Sequence, residues 1–119
     1  DANLEFADLT NANLSHVNLS RANLCNADLS NTDLSKANLR NANLSRANLS
    51  ATNFYKANLT DAVLIDANLF RTYLRKAETE GVDLKSANCY DVDGIGEDSE
   101  DYILEDIDFL DDINLLDDQ

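Results

Sequence analysis

Ala42-Asn43-Leu44-Ser45-Arg46-Ala47-Asn48-Leu49-Ser50-Ala51 repeats itself after five residues. The same unit extends in both directions without insertion, from Ala2-Asn3-Leu4-Glu5-Phe6 to Ala87-Asn88-Cys89-Tyr90-Asp91, 18 units in all. The first place is always small: Ala in 13 units, otherwise Val17, Val82, Thr32, Thr52 or Thr72. The third is Leu in 15, with Phe54, Thr79 and Cys89 as the exceptions. The second is Asn or Asp in 15, with Val63, Tyr73 and Glu78 departing. The fourth is often Ser or Thr, and the fifth is variable and often charged. Self-similarity at a fixed period marks a repeat architecture.

Period five selects a backbone. In a helix the Leu stripe would spiral around the cylinder, because 3.6 does not divide five. In a continuous strand the odd period would send equivalent side chains to alternate faces. The pattern fits when each unit is a short extended segment followed by a corner. The first and third residues then point inward and the second outward, while the fourth and fifth make the turn. Asn, Asp and Ser suit that neighbourhood because their side chains hydrogen-bond nearby backbone groups. Repeating the corner gives a solenoid whose stacked coils satisfy each other's backbone.

Composition agrees. Leu, Asn and Ala supply 49 of 119 residues, too little variety for a mixed globular core. There is no Pro, Met or Trp, and only Gly81, Gly94 and Gly96, which excludes collagen-like and linker classes. No apolar run approaches the ~18 residues of a membrane helix. The sequence starts at Asp1 without Met or leader, and so reads as a processed or trimmed product. Two cysteines, Cys25 and Cys89, are too few for a disulfide framework or a zinc site.

These units resemble the pentapeptide-repeat family, whose consensus is A(D/N)LXX. The resemblance covers residues 2–91. It implies an all-β solenoid, a right-handed quadrilateral β-helix with one unit per face and four per coil, hence about 4.5 coils for 18 units. At ~4.8 Å per coil the rod is about 22 Å long. Leu4, Leu24, Leu44, Phe54, Leu64 and Leu84 belong to the expected inward ladder. A Leu in place of Ala42 would overpack it, costing ~1–3 kcal/mol or more.

A coil of twenty residues says which exposed positions stack. His16, Lys36, Lys56 and Lys76 form one column at the end of the third face, with Arg75 beside it. Such a basic edge either solvates the coil and blocks side-on pairing, or contacts an anion or acidic partner. Nothing marks His16 as a base. On the second face the fourth places run Thr10, Ser30, Ser50, Phe70 and Tyr90. With Tyr55, Val63, Ile65 and Tyr73 these gather apolar surface in the later coils. Tyr55, Phe70, Tyr73 and Tyr90 are therefore the candidate interaction patch, covered by the chain's own tail or by a partner. Cys25, at an outward fourth place, is expected to be oxidisable; Cys89 replaces an inward Leu and is expected to be buried.

Charge divides the chain into two parts. Residues 1–91, the repeat domain, hold 11 acids and 9 bases; residues 92–119, an acidic tail, hold 12 acids and no base. Within the tail, Asp91-Val92-Asp93-Gly94-Ile95-Gly96 invites comparison with a calcium loop. Ile95 and Tyr102 stand where ligands are required, so a solvated turn is the reading. Ile103, Leu104, Ile107 and Leu110 share a helical face, favouring a short helix near 99–110. Degenerate extended units around Ile107 and Ile113 are the competing reading. The tail supplies the only apolar material able to cap the final half-coil.

No catalytic constellation is present: one His, no phosphate loop and no metal-ligand spacing. Neither cofactor nor metal is expected, nor direct nucleic-acid binding, nor membrane insertion. Resemblance to the Ala-Asn-Leu members of the family, abundant in cyanobacteria and present in plastid lumens, implies a non-enzymatic structural or interaction scaffold with a protein partner. The alternative is a DNA mimic that binds DNA gyrase, as quinolone-resistance members do. For the first coil two expectations stand: a cap was trimmed off, or two rods stack there in an end-to-end dimer.

Overall fold

The computed structural model describes residues 1–94. Its local unit is a turn. Ala47 N–H donates to Leu44 O at 3.0 Å, and Ala7 N–H to Leu4 O likewise. Every fifth-place residue from Phe6 to Asp91 has positive φ, between 57° and 65° except at Gly81, where it is 75°. Only the second central residue of each turn is left-handed, which is the signature of a type II turn. For L-residues that conformation costs ~1–2 kcal/mol apiece. The stacking between coils offsets it, because the strained N–H donates to the next coil: Lys36 to Tyr55 O at 2.8 Å, Phe6 to Cys25 O at 3.0 Å.

The remaining N–H groups are placed just as systematically. The second-place N–H reaches back one coil and the third-place N–H reaches forward, as in Asn43 to Ala22 O at 2.9 Å and Leu44 to Val63 O at 2.7 Å. The fourth-place N–H turns to the side chain two residues earlier: Ser45 to Asn43 Oδ1 at 3.0 Å, Ser50 to Asn48 Oδ1 at 3.1 Å. That last bond explains the Asn/Asp preference. A short side chain with an acceptor at Oδ1 closes an Asx turn over each corner, and Asp serves as well as Asn. The second-place side chain therefore folds over the corner instead of simply pointing outward.

Fifteen parallel bridges tie residue i to residue i+20, from Asn3–Asn23 to Tyr73–Asp93. They come every five residues, so one twenty-residue circuit carries four, each a single residue wide. The chain is a β-solenoid. Four columns of third-place residues fill its interior: Leu4 to Leu84 on the first face, Leu9 to Cys89 on the second, Leu14 to Leu74 on the third and Leu19 to Thr79 on the fourth. Leu24, Leu44, Leu64 and Leu84 of the first column are at most 1% exposed, as is Phe54, which belongs to the third column instead. Leu4 departs from the expected ladder: it is half-buried, because only one neighbouring coil covers it.

The small places hold a second ladder. Thr32, Thr52 and Thr72 fall one coil apart in a single column, fully buried. Each hydroxyl donates to a Leu carbonyl of the preceding coil: Leu9 at 2.8 Å, then Leu29 and Leu49 at 2.7 Å. Thr fits because its volume is that of Val and its hydroxyl finds a partner, as a buried polar group requires.

The ladder continues past Asp91. Asp93 bridges Tyr73 and accepts from Leu74 N–H at 2.8 Å. Gly94 then takes the centre place above Leu74 at φ 110°, where a Cβ would come within 3.0 Å of Leu74 C and Arg75 N. The helix expected near 99–110 and the apolar part of the cap fall on residues 95–119, outside the described residues; of the stretch compared with a calcium loop only Asp91 to Gly94 is described, and there Asp91 pairs with Arg71 and Asp93 with Arg75.

Candidate functional site

The surface character is set at the second, fourth and fifth places. On the second face Phe70 and Tyr90 stand one coil apart and stack, with ring centroids 5.9 Å apart and planes 2° from parallel. Both remain exposed, and the Arg71 guanidinium lies 5.5 Å from the Phe70 centroid. On the third face Tyr55 and Tyr73 meet at 6.1 Å with a 35° tilt, and Lys56 Nζ stands 5.4 Å from the Tyr55 centroid. The four candidate aromatics thus form two pairs on adjoining faces, not one continuous cluster. Tyr55 and Tyr73 are half-buried. Sequence reading passed over Phe6, the most exposed large apolar residue among those described. Its signal was a bulky apolar side chain at a fifth place, in the register of Asn26, Arg46, Asp66 and Ser86.

His16, Lys36, Lys56 and Lys76 all occupy fifth-place corners and are exposed. Arg75 beside them pairs with Asp93 at 3.3 Å. Elsewhere Arg21 pairs with Asp1 at 2.7 Å and Arg71 with Asp91 at 3.1 Å, both across one coil and both well exposed. Exposed pairs of that kind contribute ~0–1 kcal/mol.

Two second-place carboxylates, Asp8 and Asp33, gain acidity from the corner they close. The Thr10 hydroxyl and amide hold Asp8 below its ordinary value; the Ser35 hydroxyl and amide do the same for Asp33, against the opposing effect of burial. Neither carboxylate faces a cleft. Cys89 is buried where Leu would sit, and desolvation pushes its thiol up to about 12. Cys25 corrects the expectation of an oxidisable surface thiol. It is buried, because a side chain this short is sheltered in its column between Glu5 and Ser45 of the adjacent coils. Among the described residues no three His, Cys, Asp or Glu side chains are placed to hold a metal ion, and no helix is long and apolar enough to cross a membrane.

A family model described as pentapeptide repeats matches residues 2–41 and 42–78, with eight copies. The chain belongs to the pentapeptide-repeat family. Among solved members, HetL, involved in heterocyst differentiation regulation in the cyanobacterium Nostoc sp. strain PCC 7120, aligns at 34% identity and TM-score 0.76. The alignment covers 76% of this chain and 38% of HetL, so the chain spans well under half of HetL's length. Alr5209, also from Nostoc PCC 7120, aligns at 37% identity and TM-score 0.72 over 78% of each chain. QnrB1, a plasmid-mediated fluoroquinolone resistance protein, aligns at 16% identity and TM-score 0.54, over 81% of this chain and 55% of QnrB1. That is a likeness of fold alone. A search of curated proteins returned no match.

Proposed function

We propose that this pentapeptide-repeat chain is a non-enzymatic interaction rod that binds a protein partner through its second and third faces. The observation that carries the reading is the Phe70–Tyr90 stack on the second face beside the Tyr55–Tyr73 pair on the third. Aromatic side chains bury large area at low entropic cost and dominate interface energetics. The flanking Lys56 and Arg71 add cationic groups over the rings. The family relationship to HetL supports an interaction role without naming the partner. In this reading the repeat domain is a right-handed quadrilateral rod of about 4.5 coils for its 18 units.

The gyrase-mimic alternative fares worse on charge. Duplex DNA carries one charge per ~1.7 Å, so a mimic ~22 Å long needs about a dozen net negative charges along its coils. Residues 1–91 hold 11 acids against 9 bases, and one edge is a lysine column. Micromolar protein is therefore expected to leave gyrase supercoiling unaffected; inhibition that survives removal of the tail would favour the mimic.

The direct test is affinity capture from lysate with the full chain. Parallel baits carry Phe70→Ser with Tyr90→Ser, Tyr55→Ser with Tyr73→Ser, or Arg21→Ala as a remote control. The reading expects a bound protein retained by the control and lost with either aromatic pair. Capture indifferent to both pairs would refute it.

A further inference from the structure

The second face carries two successive coils whose chemistry matches its own reverse. Phe70 and Tyr90 stack one coil apart, and they are two of the three exposed large apolar side chains among the described residues. At the corner beside them Arg71 pairs with Asp91 at 3.1 Å, with both side chains well exposed. On the same face Asn88 Nδ2–H donates to Asn68 Oδ1 at 3.2 Å. At the corner that leads into the face, Asp66 stands in one column with Ser86. Turned end for end, this surface fits itself: ring against ring, cation against anion, amide against amide, hydroxyl against carboxylate.

We infer that two copies of this chain pair antiparallel through their second faces, about a two-fold axis that crosses the rods at right angles midway between the coils of Phe70 and Tyr90. A two-fold interface sets residue i of one copy against residue j of the other, and j against i. Phe70 then lies against the partner's Tyr90, Arg71 against the partner's Asp91, Asn68 against the partner's Asn88 and Asp66 against the partner's Ser86, each contact occurring twice. No like charges oppose one another in these contacts. The register is specific: one coil towards the start of the chain, Phe70 faces Ser50 and Arg71 faces Ala51, so the ring and the cation both lose their counterparts. The overlap is two coils deep, ~10 Å of rod. That is small beside stable interfaces, so the pair is weak and forms as concentration rises. The inference goes beyond the capture reading, because it gives the second face an occupant of its own, and a weak pair leaves that face open to a tighter protein partner in dilute solution.

The test is analytical ultracentrifugation of the purified full chain from micromolar to millimolar concentration. The weight-average mass is expected to rise from 13.2 kDa towards twice that value, and to rise less in high salt, which screens the Arg–Asp contacts. Arg71→Asp sets acids against acids across the axis, and Asp91→Arg sets bases against bases. Each variant alone is expected to associate at least about tenfold more weakly. An equimolar mixture of the two recovers the association, because acids then meet bases, and that recovery also shows that both variants are folded. The double variant Arg71→Asp/Asp91→Arg pairs as the unaltered chain does, and Phe70→Ser/Tyr90→Ser stays monomeric. Three results would overturn the inference: an unaltered chain that is monomeric at millimolar concentration, a mass rise indifferent to both charge variants, as an end-to-end pair through the first coil gives, or a mixture no heavier than its components. The protein is pure, so none of these results bears on whether a partner is captured, and failure of the capture leaves this measurement intact.

Discussion

Ala51 occupies a corner at φ 57°, a conformation that opposes its Cβ, and replacing it by Gly separates two opposing effects. Removing the Cβ relieves a left-handed penalty of ~1–2 kcal/mol. Gly also gives the unfolded chain more freedom, costing ~0.5–1 kcal/mol. The balance is a gain of about 0.75 kcal/mol, or a rise of about 3–6 °C in Tm at the ~4–8 °C per kcal/mol typical of this size. Nothing else changes: Ala51 is exposed, and its N–H keeps its bond to Phe70 O at 2.8 Å. The mirror experiment is Gly81→Ala, where φ is 75° and the new Cβ meets the Asp61 carboxylate. It adds the same ~1–2 kcal/mol penalty to a displacement of that side chain. Thermal melts by circular dichroism read both variants. If Ala51→Gly lowers Tm, as Gly does inside an ordinary strand, the left-handed corner is wrong.

Leu44, fully buried in the first column, is expected to lose ~2–5 kcal/mol on Leu44→Ala in urea unfolding, and Leu44→Asp to leave no cooperative transition. Asn48→Ala removes the acceptor of Ser50 N–H and is expected to cost ~0.5–1.5 kcal/mol, whereas Asn48→Asp, which keeps Oδ1, stays near wild type in the same assay. Asp33 titrates below its unfolded value, so the native state binds fewer protons. Its contribution is complete above about pH 4 and is lost as pH falls through the lowered native value. Urea midpoints at pH 5 and pH 3 are expected to differ less in Asp33→Asn than in wild type.

The inward ladder was legible because burial acts on side-chain size, and size repeats: Leu24, Leu44 and Leu64 differ in nothing but their coil. The twenty-residue coil came from family resemblance, since period five alone does not say how many corners close a circuit. The left-handed corners were missed although eight of 18 fifth places are Asn, Asp or Gly. Lys, Arg, His and Phe share those places and hid the preference, tolerated because the stacked coil secures the corner N–H. The Thr32, Thr52 and Thr72 column was visible only as exceptions, because its meaning is a bond across 23 residues. Cys25 misled because an outward place on a narrow rod still shelters a side chain as short as Cys. The exposed rings were legible in the sequence but their pairing was not, because a corner separates Phe70 from Tyr73 and holds the two pairs on adjoining faces.

Core columns, corners and both aromatic pairs all depend on one relation, that residue i lies beside residue i+20. Nuclear Overhauser contacts in the full chain measure it directly. The account predicts cross-peaks between Leu44 N–H and Val63 Hα and between the rings of Phe70 and Tyr90, repeated at the same spacing along the rod. Helical contacts between residues three or four apart through Ala42–Ala51, or pairing at a spacing other than twenty, would contradict it.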